Sequence, residues 1–300
     1  MTSKINLTFL GTSDAIPSAR RNHPAILLNY NEENILVDCG EGTQRQFRKA
    51  ELNPNKVTRI LITHWHGDHV LGIPGLLQTL SLGGYNKTLF IYGPKGTKYF
   101  MNNLLRTFVF VENYKIQVEE VEGVFFRGKD FYLEAKPMTH STPCNAYCFV
   151  KTGQLRIDKA KLKKYKLPEG PLLKDLKFGK SIKYEGKTYK AKDLTYLEEG
   201  KKISFILDSS INDKMVSFVK DSDILITESS FTSELQDLAK EYGHLTAKQA
   251  GEIAKKSKSK ELILTHISSR YDKNPKIVLD DAKKVFKNSK MVQDLDRFEI

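Results

Sequence analysis

Cysteine is scarce: Cys39, Cys144 and Cys148 are the only three thiols in 300 residues. An odd count speaks against a disulfide framework, and the Cys144/Cys148 pair lacks the second pair that would complete a structural zinc site. Idle, buried thiols are the reading for all three. No apolar run approaches the roughly 18–20 residues that cross a bilayer, and the opening MTSKINLTFLGTSD lacks a signal-peptide core. The expectation is a cytoplasmic protein with no membrane partner. Acidic charge is also in deficit: 48 Lys/Arg stand against 36 Asp/Glu, a net +12. Residues 151–190 hold thirteen of the basic residues and four of the acidic ones, a local +9, which leaves +3 for the rest of the chain. Alone, such a run fits a solvated lysine-rich surface as well as it fits a site for a polyanion.

What the chain does have is short apolar runs rich in β-branched residues, at 5–11, 24–30, 34–40, 58–64, 88–93, 145–150, 203–208, 223–228 and 261–266, which read as strands. Helix-like stretches lie between them at 69–80, 95–106, 213–220, 246–257 and 275–288, the fourth opened by the cap candidate Thr246. The class is α/β, with sheets covered by helices, and 40% hydrophobic content suits a folded chain with a sizeable core. From Lys151 to Lys190 the rhythm breaks: apolar residues thin out, KLPEGP punctuates, and two β-like fragments flank YEG at 184–186. An insertion projecting from a single body spanning 1–300 is expected there.

LITHWHGDHV (61–70) gathers His64, His66, Asp68 and His69 within six positions. That spacing is too tight for one helix face, so the cluster needs a loop where the strand before it ends, and Gly67 helps to supply one. Imidazole nitrogen and carboxylate oxygen suit zinc or manganese. Three more strands end in a potential ligand: KPMTH at His140, ISFILD at Asp208 and ELILTH at His266. Strand ends at one sheet edge converge, so seven ligands distant in sequence can share one place.

The ordered set HxHxDH…His…Asp…His resembles the metallo-β-lactamase superfamily, and the resemblance runs over nearly the whole chain. It implies a four-layer αβ/βα sandwich with two metal ions in a cleft at the strand ends. By position His64, His66 and His140 would hold one ion, Asp68, His69 and His266 the other, and Asp208 would bridge them. Asp38, closing NILVD, matches the first motif in a supporting role. Two cations sharing a water lower its pKa from ~15.7 toward neutrality and clamp the oxygens of a carbonyl or phosphoryl group, so hydrolysis is the expected reaction. Asp68 is the candidate general base.

Residues outside that set narrow the substrate. FLGTSDAIPSARRNHPAILL (9–28) resembles the start of the short-form ribonuclease Z family, whose PxKxRN loop touches the transfer-RNA end. Here the loop is Pro17-Ser18-Ala19-Arg20-Arg21-Asn22, with Ala19 in the lysine position, and Arg21 and Asn22 are the candidate contacts. VDCGEGTQRQ (37–46), HGDHVLGIPGLLQTLSL (66–82), DILITESSF (223–231), GHLTAKQAGEIAKKS (243–257) and LTHISSRYDKNP (264–275) fit the same family. The resemblance implies that His244 protonates the leaving oxygen and that Glu228 holds it. Thr227, Ser229, Ser230 and Leu245 depart from the family pattern without touching those two side chains. Arg270 would bind phosphate as a planar donor, with a structural ion pair as the competing reading.

LPEGPLLKDLKFGKSI (167–182) resembles the family's flexible arm, with Gly170-Pro171 as its turn. In the family's homodimer the arm of one subunit grips the transfer RNA bound to the other, and a +9 segment suits phosphate contacts. The function implied is a zinc-dependent endoribonuclease, with two Zn2+ per subunit or manganese in their place. It removes 3′ trailers from precursor transfer RNA and leaves a 3′-hydroxyl and a 5′-phosphate. The alternatives are a general phosphodiesterase or another nuclease of the superfamily and, in a different class, a transfer-RNA-binding protein with a structural metal.

Overall fold

The apolar runs pair into two seven-stranded sheets in the computed structural model, which describes residues 4–109 and 113–300. The first sheet uses β1 (Ile5–Gly11), β2 (Ala25–Tyr30), β3 (Glu33–Val37), β4 (Arg59–Leu61), β5 (Leu89–Gly93) and β6 (Ile116–Glu120). The chain then crosses to the second sheet with β7 (Gly123–Arg127), β8 (Phe131–Pro137) and β9 (Asn145–Lys151). Four short strands follow in the insertion: β10 (Gln154–Ile157), β11 (Ile182–Tyr184), β12 (Lys187–Tyr189) and β13 (Thr195–Glu198). The second sheet resumes with β14 (Lys201–Ile206), β15 (Ile224–Glu228), β16 (Glu261–Thr265) and β17 (Ser289–Met291), and β18 (Arg297–Glu299) returns to the first.

Strand order is β18-β1-β2-β3-β4-β5-β6 in one sheet and β17-β16-β15-β14-β9-β8-β7 in the other. Each sheet is antiparallel in one half and parallel in the other: β3 to β6 run parallel, as do β14 to β17. Parallel neighbours need crossovers, and the helices that make them cover the outer faces. On the first sheet these include Thr43–Lys49, Ile73–Leu82 and Thr97–Thr107; on the second, Lys214–Phe218, Ala247–Lys256 and Lys276–Lys283. One apolar core lies between the sheets, joining Leu7, Phe9 and Val37 to Phe131, Phe149 and Phe205. Two more lie between each sheet and its helices, one around Leu36 and Leu76 and one around Leu225 and Ile253. This is the four-layer αβ/βα sandwich.

The insertion differs from expectation in two respects. It is an enlarged hairpin between the antiparallel neighbours β9 and β14, and its base ribbon β10/β13 closes at Glu198, beyond the expected end at 190. It also carries a small core of its own, with Leu162, Leu173, Leu176, Ile182 and Leu194 buried against one another. The three cysteines are free and buried, and burial pushes each thiol up to about 12.

Candidate metal centre

Six of the seven histidines converge where strands of both sheets end. β4 stops at Leu61, and extended His66 leads into a helical turn over Gly67–Val70. The turn seats against the loop after β3 because Gly72 has no side chain: a Cβ there would lie 1.9 Å from the Gly40 carbonyl oxygen. Asp38 and His266, the residues after β3 and β16, sit at φ 57° and 56°. That left-handed backbone is uncommon for residues with a Cβ and persists where surrounding bonds fix it.

Ligand atoms of His64, His66, His140 and Asp208 lie within 4.8 Å of one another, and so do those of Asp68, His69, Asp208 and His266. Asp208 belongs to both groups, so all seven expected residues meet in two adjoining clusters. Four of the five rings are steered from behind. His69 Nδ1 is 2.6 Å from Asp38 Oδ2, His140 Nδ1 donates to the Gly243 carbonyl at 3.0 Å, and His64 Nδ1 and His266 Nδ1 lie 3.1 and 2.8 Å from the hydroxyls of Thr63 and Ser230. Asp38 also accepts the Thr63 N–H and hydroxyl, both at 2.7 Å, and so braces the loop behind the cluster. Such partners set ring orientation and leave the opposite nitrogen free to ligate.

The donors fit cations. His64 Nε2, Asp68 Oδ2 and Asp208 Oδ1 are buried with no hydrogen bond, although Asp208 Oδ1 is only 3.0 Å from His266 Nε2. Desolvation holds His64 and His66 below the usual histidine range, hence neutral as ligation requires. Burial also works against charge on His69 and His266, yet Asp208, Asp38 and Asp68 push His69 up, and Asp208 with Asp68 pushes His266 up. These carboxylates call for positive charge at this spot. Burial opposes ionisation of Asp68 as well, but His69 and His266 hold it below the usual carboxylate range. The cluster is suited to a dinuclear metal site.

Beside it, Glu228 is fully buried at the end of β15. Its Oε2 lies 2.9 Å from His244 Nδ1, and its Oε1 accepts the Ser209 N–H at 2.8 Å. Burial alone would lower His244; the carboxylate overrides it and pushes the imidazole up to about 9. An open cavity of ≈ 360 Å3 brings His244 together with His66, His140, Asp208 and His266. Phe231 and Tyr242, stacked at 6.4 Å, also line it; sequence reasoning passed over both, because a single aromatic in a loop or at the last position of a short helix (Gln236–Tyr242) carries no periodic signal.

The remaining expected residues divide. Arg21, expected to contact the substrate, is buried, and its Nη1 donates to Thr12 Oγ1 and the Val292 carbonyl at 2.7 Å each, so the guanidinium braces the body. The exposed cation of that loop is Arg20. Asn22, half-buried, donates to the Glu41 carbonyl at 2.7 Å and staples its loop to the next. Arg270 is exposed, lies over the Phe231 ring at 4.7 Å, and pairs with no carboxylate among the described residues. Gly170 and Pro171 are exposed on the insertion, Gly170 at φ 152°, a conformation that side chains avoid. Trp65 points away from the cluster, stacked on Phe100 at 5.1 Å and donating to Thr97 Oγ1 at 2.9 Å.

Comparisons with known proteins agree with this geometry. A family model described as anti-Pycsar protein Apyc1 matches residues 5–120. A ribonuclease Z of Archaeoglobus fulgidus is 38% identical, with 98% of this chain and 97% of that protein covered. The solved human short-form tRNase Z is 28% identical over 98% of both chains, with a TM-score of 0.70. YhfI of Bacillus subtilis, a metallo-β-lactamase fold protein, covers both chains fully at 19% identity and a TM-score of 0.73, a likeness of fold.

Proposed function

The chain belongs to the ribonuclease Z family, hydrolytic nucleases that process transfer-RNA 3′ ends, and from that membership we propose how its own residues perform the cut. The observation that carries the proposal is a proton donor at the edge of the metal centre: His244 Nδ1 lies 2.9 Å from Glu228 and 3.9 Å from the shared ligand Asp208. His64, His66 and His140 would hold one zinc ion, Asp68, His69 and His266 would hold the second, and Asp208 belongs to both groups; manganese suits the same donors. When bound, the paired cations supply a lowered water pKa and positive charge for the phosphoryl oxygens.

Asp68 accepts the proton of the attacking water on its carboxylate. His244, kept protonated by Glu228, gives its proton to the departing 3′ oxygen. Transfer RNA leaves with a 3′-hydroxyl and the trailer with a 5′-phosphate. Arg270, planar and exposed beside the cavity, takes a phosphate near the cut. The insertion, with Gly170 and Pro171 exposed on it, grips the body of transfer RNA by phosphate contacts, across a homodimer in the cytoplasm.

The test is cleavage of an unprocessed precursor by wild type, Asp68→Ala and His64→Ala at equal concentration. Loss of one ligand is expected to slow trailer release by more than about a hundredfold, since even residues behind a ligand are worth 10–100-fold. Equal rates in all three proteins contradict the metal mechanism.

A further inference from the structure

Ser230, a local departure in the glutamate loop, bridges Glu228 and His266. Its hydroxyl is buried, 2.9 Å from Glu228 Oε2, 2.8 Å from His266 Nδ1 and 3.2 Å from the His266 carbonyl. A hydroxyl has a single proton to give. An ionised carboxylate and a carbonyl only accept, and a charge-assisted bond to the carboxylate is the stronger of the two. The Ser230 O–H therefore donates to Glu228, and the Ser230 oxygen is left to accept from His266. That places the proton of His266 on Nδ1 and leaves Nε2 unprotonated toward Asp68 and Asp208, at 3.5 and 3.0 Å.

The same Glu228 oxygen receives His244 Nδ1–H at 2.9 Å. A continuous run His244–Glu228–Ser230–His266 thus joins the proton donor to a candidate ligand through one hydroxyl. We propose that Ser230 is a positioning residue that sets the ligating tautomer of His266 and, through Glu228, the place of the proton donor, so that metal retention and leaving-group protonation share one support. The neighbouring Ser229 does neither: its hydroxyl donates to the Thr265 carbonyl at 3.1 Å. The inference rests on the proposed roles of His266 as ligand and His244 as donor.

The experiment uses the full chain as Ser230→Ala, Ser230→Thr and His266→Ala. Zinc affinity is read by competition with a chromophoric chelator. With zinc saturating, turnover is compared on precursor transfer RNA and on bis(p-nitrophenyl) phosphate, whose leaving group departs without a proton. Ser230→Ala is expected to bind zinc about tenfold or more weakly, the range for a partner behind a ligand. At saturating zinc it loses about tenfold more turnover on the precursor than on the activated ester, and Ser230→Thr, which keeps the hydroxyl, recovers both properties. Wild-type zinc affinity in Ser230→Ala, or equal loss on both substrates, overturns the assignment while His266→Ala stays impaired. Wild-type affinity in His266→Ala overturns instead the ligand reading on which it rests.

Discussion

A histidine that must give up a proton works only while it holds one. Burial pulls the His244 imidazole down, and the Glu228 carboxylate 2.9 Å away pushes it, on balance, up to about 9. Precursor cleavage that depends on protonated His244 is therefore complete at lower pH and lost as pH rises through about 9. Glu228→Gln keeps the shape and removes the charge, so the falling limb of kcat/KM moves to lower pH, toward the ordinary histidine value near 6.5. A limb that stays in place in Glu228→Gln contradicts the assignment of His244 as the acid. The seven candidate ligand positions were legible in the sequence because four crowd into HWHGDH after one apolar run and the other three each close a strand-like run, a signal that needs no knowledge of the fold. Arg21 was not, because sequence gives a guanidinium its charge and not its direction; its partner Val292 lies 271 positions away. Ser230 was passed over for a related reason: a hydroxyl has no periodicity, and its value comes from joining Glu228, its near neighbour in the chain, to His266, which only folding brings within reach.

At the scale of elements, the insertion from Thr152 to Gly200 joins adjacent antiparallel strands and has its own apolar core, so the body's three cores contain none of its residues. Replacing 153–199 with a short Gly-Ser turn is expected to leave bis(p-nitrophenyl) phosphate hydrolysis intact. KM for precursor transfer RNA should rise about tenfold or more, and its salt dependence should become shallower by roughly one log unit for each phosphate that the insertion neutralises in the intact chain. An unchanged KM and salt slope would remove the insertion from substrate binding. Its charge and its Gly-Pro turn were legible, but its end was not, because TYLE at β13 is a strand only by pairing with β10. Strands β7 and β18 escaped for the same reason, being part-exposed edges of their sheets with little of the continuous apolar run that marks β15 or β16. The helix expected over 69–80 divides at Gly72, where the backbone must approach Gly40.

Across the whole molecule, the site exists because two mixed sheets bring their strand ends to one cleft. The first contributes Asp38 and the 64–69 cluster; the second contributes His140, Asp208, Glu228 and His266. Strand order was beyond sequence reading: that β18 docks on β1 and that β9 lies beside β14 are decided by packing between segments far apart in the chain. The resemblance of the ordered motifs supplied what periodicity could not, a known way of closing the sandwich. The central claim is that two metal ions held by this cleft are required for the cut, and it is tested by titrating zinc into chelator-stripped protein while trailer release from an end-labelled precursor is followed. Stripped protein is expected to be inactive and activity to reach its plateau at two equivalents of zinc per chain; cleavage by the stripped protein, or a plateau at one equivalent, would contradict it.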